Sequence, residues 1–422
     1  MHGRKMPATL RFMLAARRSE LLGLEDLTTT CELVTRLSRL IHALQKERGY
    51  SNVYLSGGAS KHAAQLDSLS LEADALHLQV SQALEKIEQD ASGADKTRLF
   101  TRIAYALHAL DDLPRLRRRV RDHDIGMQAA THAMTRLIGG LLAVIFEAAD
   151  TASNPEVTRS LVALFNFMQG KELAGQERAL GVHGFASGCF SEQMLVQWEQ
   201  VLDHQARCFE TFSRCACPAA LALWHTLSNS EAQTQACRLR DVVRRAHAGA
   251  PVDASLCDIW FELQTARIDL MKTVEARLEL DLQERCQQSI ARIRRDLHDH
   301  RRLLDDLVDM HAAMEQTKLF TVQRNDPQHD GMTTLVSRTT LELLQAQTQR
   351  LQETQQQLRE ARQSLDERRL IEQAKQLLIH RHKLDEGEAY AMLRQSAMRH
   401  SQCIEDVARR LLATAGRAQA QR

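Results

Sequence analysis

Apolar residues recur every three or four positions along most of the chain. A clear case is the segment from about Thr28 to Leu55, in which Leu33, Leu37, Leu40, Ile41 and Leu44 keep this spacing. The same spacing places side chains on one face of an α-helix. The pattern therefore predicts an all-α protein.

Glycine and proline interrupt this pattern at intervals and separate the predicted helices. In order, helices are predicted over 28–55, 61–89, 96–120, 127–149, 156–178, 192–215, 218–227, 230–248 and 256–324. Pro114 is expected to kink or restart the third of them, and the glycine-rich segment Gly181 to Ser191 to form a loop. The apolar run Leu137 to Ala149 is too short for a membrane span and predicts a buried core helix.

A polar segment from Asn325 to Gly331 marks the predicted end of the large helical domain. Beyond it, Leu344, Leu351, Leu358 and Leu365 repeat every seventh residue, whereas their partner positions are mostly polar. One leucine stripe is typical of a connecting helix or a weak parallel coiled coil, and one helix packed on its own chain is the alternative. The predicted architecture is a multi-helix sensory bundle over 1–325, a linker and heptad helix over 326–365, and a three-helix module over 366–422.

The last module is predicted from three short amphipathic segments. Its first helix continues from the leucine stripe, and its second opens at Asp385 and Glu386, where the helix dipole favours acids. The buried face of the second helix is expected to comprise Ala389, Tyr390, Leu393 and Ala397. Ser401 is a plausible N-cap for the third helix.

Charge is unevenly distributed along the chain. The whole sequence carries a formal charge of +1, but residues 368–422 hold eleven Lys/Arg against six Asp/Glu. A basic helical head can bind nucleic acid phosphates, although solvated surface charge gives the same composition. The charge by itself is therefore only a modest indication of nucleic-acid binding.

Four ordered landmarks in the tail resemble the ANTAR family of RNA-binding antitermination modules. They are LIEQAK (370–375), EAY (388–390), LRQSAM (393–398) and DVA (406–408). The resemblance implies a dimer that binds paired hairpins in leader RNA. By position it implies an RNA-facing set of Ala374, Lys375, Tyr390, Arg394, Ala397 and Met398, although the alanines and the methionine could instead pack the three helices. Gln376 stands where the family more often has glycine.

Two segments in the large domain place Glu-Arg within an apolar helix: Gln45 to Gly49 and Lys171 to Ala179. A guanidinium that is buried among apolar side chains needs a hydrogen-bonding or charged partner. Glu47 and Glu177 point about 100° away from their neighbouring arginines on a helix and are poor partners. A planar anion shared by Arg48 and Arg178 would match two guanidinium forks.

With Phe12 to Arg18 and Ala266 to Asp269, these segments resemble the NIT family of nitrate- and nitrite-responsive sensory domains. The resemblance implies nitrate or nitrite as effector, Arg48 and Arg178 as ligands and Arg267 as a further candidate. Ordinary ion pairs of these arginines are the alternative. Together, the two resemblances imply a one-component switch of the nitrate-responsive antiterminator type, in which the anion shifts helix packing and either releases or aligns the tail for RNA.

Other classes of function find little support in the sequence. No phosphate-binding glycine loop, His-Glu-x-x-His or nucleophile motif is present, so no enzyme, catalytic residue or cofactor is expected. Nine cysteines without paired spacing predict a reducing, cytoplasmic location and no metal site. Neither DNA nor a membrane is expected as a partner. A dimeric helical scaffold that recruits a protein in response to a small ligand is the alternative function.

Overall fold

The computed structural model describes residues 8–89, 97–152, 154–320, 329–384, 386–400 and 402–420. Within these ranges the regular structure is helical, which confirms the all-α class. The helices are α1 Ala8–Val53, α2 Ala59–Gln89, α3 Thr97–Asp111, α4 Leu113–Arg121, α5 Met127–Thr151, α6 Pro155–Ala186, α7 Glu192–Cys215, α8 Pro218–Ser228, α9 Glu231–Arg245, α10 Leu256–Phe320, α11 His329–His382, α12 Glu386–Arg399 and α13 Ile404–Ala420. A π-helical turn over Tyr54–Gly58 joins α1 to α2.

The first ten helices fall into two successive halves with a similar plan. In the first half α1 packs on α2 and α5, and in the second α6 packs on α7 and α10. The halves meet where α1 contacts α6 and α10 and where α5 contacts α6. The largest apolar core lies along this junction, so α1 and α6 are central to the bundle.

Helix α6 is longer than the sequence predicted. The glycine-rich segment Gly181 to Ser191 was expected to be a loop, but the helix continues to Ala186. Gly181 and Gly184 lie inside this helix. A Cβ at Gly181 would overlap the ring of Trp260, and a Cβ at Gly184 would overlap the ring of Phe190. These glycines therefore serve close packing, which local sequence does not reveal.

Helix α5 is the apolar helix predicted from the run Leu137 to Ala149. It is the single helix in the described ranges long and apolar enough to cross a membrane, and 44% of its most apolar window is buried inside the protein. Buried core helices pass the same test of length and composition. Its contacts with α1, α3 and α6 are those of a core helix.

The breaks around α4 and α6 follow local chemistry. Pro114 lies in the first turn of α4, where its missing N–H costs nothing, and it restarts the helix as predicted. Asn154 caps α6 by accepting hydrogen bonds from the backbone N–H groups of Glu156 and Val157, each at 3.1 Å. Both helix starts were therefore visible in the sequence.

Helix α11 joins the bundle to the tail as one element of 54 residues. This confirms that the first tail helix is continuous with the leucine stripe. His329 to Gly331, which were assigned to the polar boundary, lie within this helix, whereas the predicted boundary at residue 325 falls outside the described residues. Leu365 is only 1% exposed and belongs to the core of the bundle, whereas Leu351 is 57% exposed. At its buried end the stripe therefore packs on its own chain.

The tail forms the predicted three-helix module from the end of α11, α12 and α13. Its core contains Ala374, Leu378, Ala389, Tyr390, Leu393, Ala397, Ile404, Val407 and Ala408. The expected buried face of α12 is thereby confirmed. Asp385 and Ser401, predicted to begin two of its helices, lie outside the described residues.

Candidate anion site and RNA-binding face

The structure brings Arg48 of α1 and Arg178 of α6 to the same buried junction. Gly49 lies against the guanidinium of Arg178, and Gly175 lies against that of Arg48. A Cβ at either glycine would overlap the facing guanidinium. The glycine of each Glu-Arg segment thus makes room for the arginine of the other.

Arg48 is held by a carboxylate that the sequence analysis did not identify. Its Nη1 and Nη2 donate to the two oxygens of Glu172 at 2.5 and 3.1 Å, and Nη1 also donates to Thr135 Oγ1 at 2.9 Å. Glu172 accepts further hydrogen bonds from the side-chain amides of Gln45 and Gln176, each at 3.0 Å. This buried carboxylate is fully bonded and fills the fork of Arg48.

Arg178 has a different set of partners. It donates to Thr265 Oγ1 at 2.8 Å and to the carbonyl oxygen of Gln45 at 3.0 Å, and its guanidinium lies 5.3 Å from the ring centroid of Phe261. No ion pair joins it to a carboxylate among the described residues. Burial, followed by repulsion from Arg48, lowers the pKa of Arg178 to about 10. The group is charged at neutral pH and lacks a directly bonded counter-ion.

The two glutamates of the Glu-Arg segments pair away from their neighbouring arginines, as the helical geometry predicted. Glu47 forms a two-point ion pair with Arg117 of α4 at 2.6 and 2.9 Å. Glu177 forms one with Arg240 of α9, with both contacts at 2.6 Å. These pairs fix the two segments to the outer helices of their own halves.

The two halves of the site are related by sequence spacing. Arg178 follows Arg48 by the same number of residues as Thr265 follows Thr135, and each arginine donates to its own threonine. Glu172 breaks this correspondence because His42 occupies the matching position of α1. The spacing of the threonines was a signal present in the sequence.

Arg267 lies in the neighbouring network around Glu177. Its donors reach Gln233 at 2.6 Å, Gln205 at 2.8 Å, Gln264 at 3.2 Å and Glu177 at 3.3 Å. Burial lowers the pKa of this guanidinium to about 10. Arg267 thus bonds to side chains of α6, α7, α9 and α10 rather than lying with Arg48 and Arg178.

Two residues predicted to face RNA contact the sensory bundle instead. Tyr390 is 3% exposed, and its ring packs against the imidazole of His204 of α7 at a tilt of 49°, with ring centroids 3.9 Å apart. Arg394 forms an ion pair with Asp203 of the same helix at 3.3 Å. In this conformation α7 covers that part of the face.

The other four predicted RNA-facing residues differ in position. Ala374 and Ala397 belong to the core of the tail module, so their side chains are not available to RNA. Their small size suits close helix packing, which is the alternative that the sequence left open. Lys375 is buried and pairs with Glu372 at 2.9 Å, whereas Met398 is 67% exposed.

His204 lies among basic side chains from three helices. Burial, followed by the charges of Arg368, Lys375, Arg207 and Arg394, lowers the pKa of His204 to about 3. The imidazole that packs against Tyr390 is therefore neutral at physiological pH. Protonation would add a positive charge to an already basic contact.

Among the described residues no group of three or more His, Cys, Asp or Glu side chains could hold a metal ion.

Comparison with known proteins matches both parts of the chain. Residues 39–283 match the nitrate and nitrite sensing family (NIT), and residues 359–412 match the ANTAR domain. The chain is 32% identical to the nitrate regulatory protein of Klebsiella oxytoca over 96% of its own length and 95% of that protein. It superposes with a TM-score of 0.61 and 30% identity on the structure of the NasR transcription antiterminator, covering 97% of this chain and 100% of that one.

Proposed function

The chain belongs to the nitrate and nitrite sensing family and carries a C-terminal ANTAR domain, and from that membership we propose that it is a nitrate- or nitrite-responsive transcription antitermination regulator. The anion is an effector in this proposal, and RNA is the target of the ANTAR domain. The observation that carries the proposal is the buried pair Arg48 and Arg178 from opposite halves of the bundle, of which only Arg48 is bonded to a carboxylate within the described residues.

We propose that the effector binds at Arg178 and reaches toward Arg48. A buried guanidinium without a counter-ion is unfavourable, and a planar oxyanion can accept two hydrogen bonds from its fork. Thr265 and Thr135 would orient the anion from the two sides. Arg267 was also expected as a ligand, but its bonds to Glu177 and three glutamines support a positioning role instead.

The proposed control of RNA binding depends on the contact between α7 and the predicted RNA-facing residues. Tyr390 and Arg394 are engaged by α7, so strong RNA binding requires the module to leave this contact. Helix α6 links the two sites, since it carries Arg178 and also Phe165, whose ring lies 4.9 Å from the guanidinium of Arg368 in α11. We propose that the anion favours the undocked state, with a coupling of about 1–3 kcal/mol, typical of allosteric ligands.

Three finer features belong to the same proposal. The targets are hairpins in leader transcripts, the regulator acts as a homodimer, and it works in the cytoplasm. The leucine stripe of α11 supports the dimer, because Leu351 is exposed in the single chain and could pair with a second copy.

The test measures binding of the full-length protein to hairpin RNA from a nitrate-assimilation leader transcript. Nitrate should tighten binding by about tenfold, and chloride at the same ionic strength should not. Arg178→Gln should remove the response to nitrate. Arg238→Gln, which changes an exposed arginine of α9, should retain it. Equal RNA affinity with and without nitrate or nitrite in the wild type would refute the proposal.

A further inference from the structure

We propose that Glu172 determines the charge selectivity of the anion site: it restricts the site to monovalent oxyanions and excludes divalent ones such as sulfate. This inference rests on the proposed function, because it assumes that the anion binds beside Arg48 and Arg178. It assigns a specific role to the buried carboxylate that completes the fork of Arg48.

Three charged side chains lie at the junction of the two halves: Arg48 is bonded to Glu172, and both influence the charge of Arg178. Arg48 and Arg178 contribute two positive charges, and Glu172 contributes one negative charge. The set keeps one positive charge, which a nitrate or nitrite ion would neutralise. A sulfate ion would leave one buried negative charge without compensation, and burial makes such a charge costly.

The neighbouring charges bond to side chains outside this set or lie at the surface. Lys171, adjacent to Glu172, forms a fully buried ion pair with Glu275 of α10. Glu47 is paired with Arg117, Glu177 is shared by Arg240 and Arg267, and the exposed Asp269 partly offsets the lowering of the pKa of Arg178. Glu172 is therefore the carboxylate that bonds directly to an arginine of the site.

The two halves of the bundle differ at the position of Glu172. The matching position in α1 is His42. Burial, followed by the charge of Lys171, lowers the pKa of His42 to about 2, so this residue is neutral. Arg48 is therefore bonded to a carboxylate, whereas Arg178 is bonded to a hydroxyl and a carbonyl oxygen.

The physical consequence depends on the charge of the ligand. Repulsion between Glu172 and a bound anion is proportional to the anion's charge, so sulfate is penalised twice as strongly as nitrate at the same distance. Removing the charge of Glu172 should therefore strengthen binding of both anions, and that of sulfate more. Comparing the ratio of affinities between variants cancels differences in anion size and hydration.

The experiment measures dissociation constants of sodium nitrate and sodium sulfate by calorimetry on the full-length protein at constant ionic strength. In Glu172→Gln the affinity for sulfate relative to nitrate should rise by about tenfold or more over the wild type. Glu47→Gln is the matched control, since Glu47 lies beside Arg48 in sequence but bonds to Arg117. Its sulfate-to-nitrate ratio should equal that of the wild type.

A second variant tests the same charge count without removing Glu172. Thr265 is partly exposed and accepts a hydrogen bond from Arg178, so Thr265→Asp should cancel the remaining positive charge and abolish nitrate binding. Retention of wild-type nitrate affinity in Thr265→Asp would overturn the inference, and this variant decides the matter if Glu172→Gln does not fold.

Two other outcomes are distinct. An unchanged sulfate-to-nitrate ratio in folded Glu172→Gln would overturn the inference, as would loss of nitrate binding in folded Glu172→Gln with retention in Glu172→Asp. The latter result would make Glu172 a group that merely holds Arg48. Absence of nitrate and nitrite binding in the wild type would instead refute the proposed function.

Discussion

Arg48 and Arg178 occupy matching positions in the two halves, but the free energy of burying the guanidinium differs between them. Arg48 neutralises Glu172 through two hydrogen bonds. Arg178 has a hydroxyl, a carbonyl and an aromatic ring as its neighbours. Removing one member of a buried ion pair leaves an uncompensated charge, whereas removing an unpaired charge does not. The two arginines should therefore differ in their effect on stability.

Arg48→Met should lower the free energy of unfolding by about 3–5 kcal/mol, because Glu172 would remain buried with only amide partners. Arg178→Met should change it by no more than about 1 kcal/mol, since lost hydrogen bonds are offset by the removal of an unpaired charge. Urea unfolding without nitrate measures both. Equal destabilisation by the two substitutions would contradict the difference in pairing.

Gly49→Ala should displace the guanidinium of Arg178, whose flexible end lies where the new Cβ would go. Nitrate affinity should fall by about tenfold, while alanine favours the helix by up to about 1 kcal/mol. Calorimetry and thermal unfolding measure the two effects. The matched control is Gly140→Ala in α5, which has no atoms within 4 Å of an added Cβ and should leave nitrate affinity unchanged.

At the scale of elements, α7 has two roles. One face packs on α6 within the bundle, and another carries Asp203 and His204, which hold the tail module through Arg394 and Tyr390. The two rings pack directly against each other, and the charges that act on His204 are those of four basic side chains. The docked state therefore requires an imidazole without charge.

Acidification should release the tail module. The pKa of His204 is about 3 when docked, against an ordinary value of 6.5. Docking is therefore fully favoured above pH 6.5 and weakens as the pH falls from 6.5 toward 3. At pH 5.5 the docking equilibrium should shift by about tenfold toward the undocked state. Hydrogen exchange of α12 against pH measures this shift.

His204→Phe is the control for this pH dependence. Phenylalanine keeps an aromatic ring against Tyr390 but cannot be protonated, so the change in exchange of α12 between pH 7.5 and 5.5 should largely disappear. A response that persists undiminished in His204→Phe would assign the effect to other groups.

On the scale of the whole molecule, sensor and output share their long helices. α11 is anchored in the bundle by Leu365 and by Arg369, which pairs with Asp150 of α5. The same helix supplies the first part of the tail core. Movement between the halves of the bundle can therefore reach the RNA-binding module without a flexible connection at this point.

Asp203→Lys should weaken docking because a lysine would then face Arg394 in an already basic contact. RNA binding without nitrate should tighten by about tenfold, toward the level of the nitrate-bound wild type. Fluorescence anisotropy with hairpin RNA measures this. Glu210→Lys, at an exposed position of the same helix, makes the same change in charge and should keep the dependence on nitrate. Equal effects of the two substitutions would indicate nonspecific attraction to RNA.

The sequence by itself determined the helical class, most helix positions and the three-helix tail, and it predicted Arg48 and Arg178 as candidate anion ligands. These features depend on local periodicity, capping and motifs within one helix. It also excluded Glu47 and Glu177 as partners of their neighbouring arginines, from helical geometry alone. The family comparisons agree with the resemblances found at both ends of the chain.

Only the tertiary structure decided which side chains meet. It identified Glu172 as the partner of Arg48, continued α6 through Gly181 and Gly184, and placed Tyr390 against His204. Each of these depends on contacts between helices far apart in the chain, whereas periodicity reports only which face of a helix is buried. Packing between helices decides which partner each buried side chain meets. It therefore also decides the charge of the candidate anion site and the covering of the predicted RNA-facing residues.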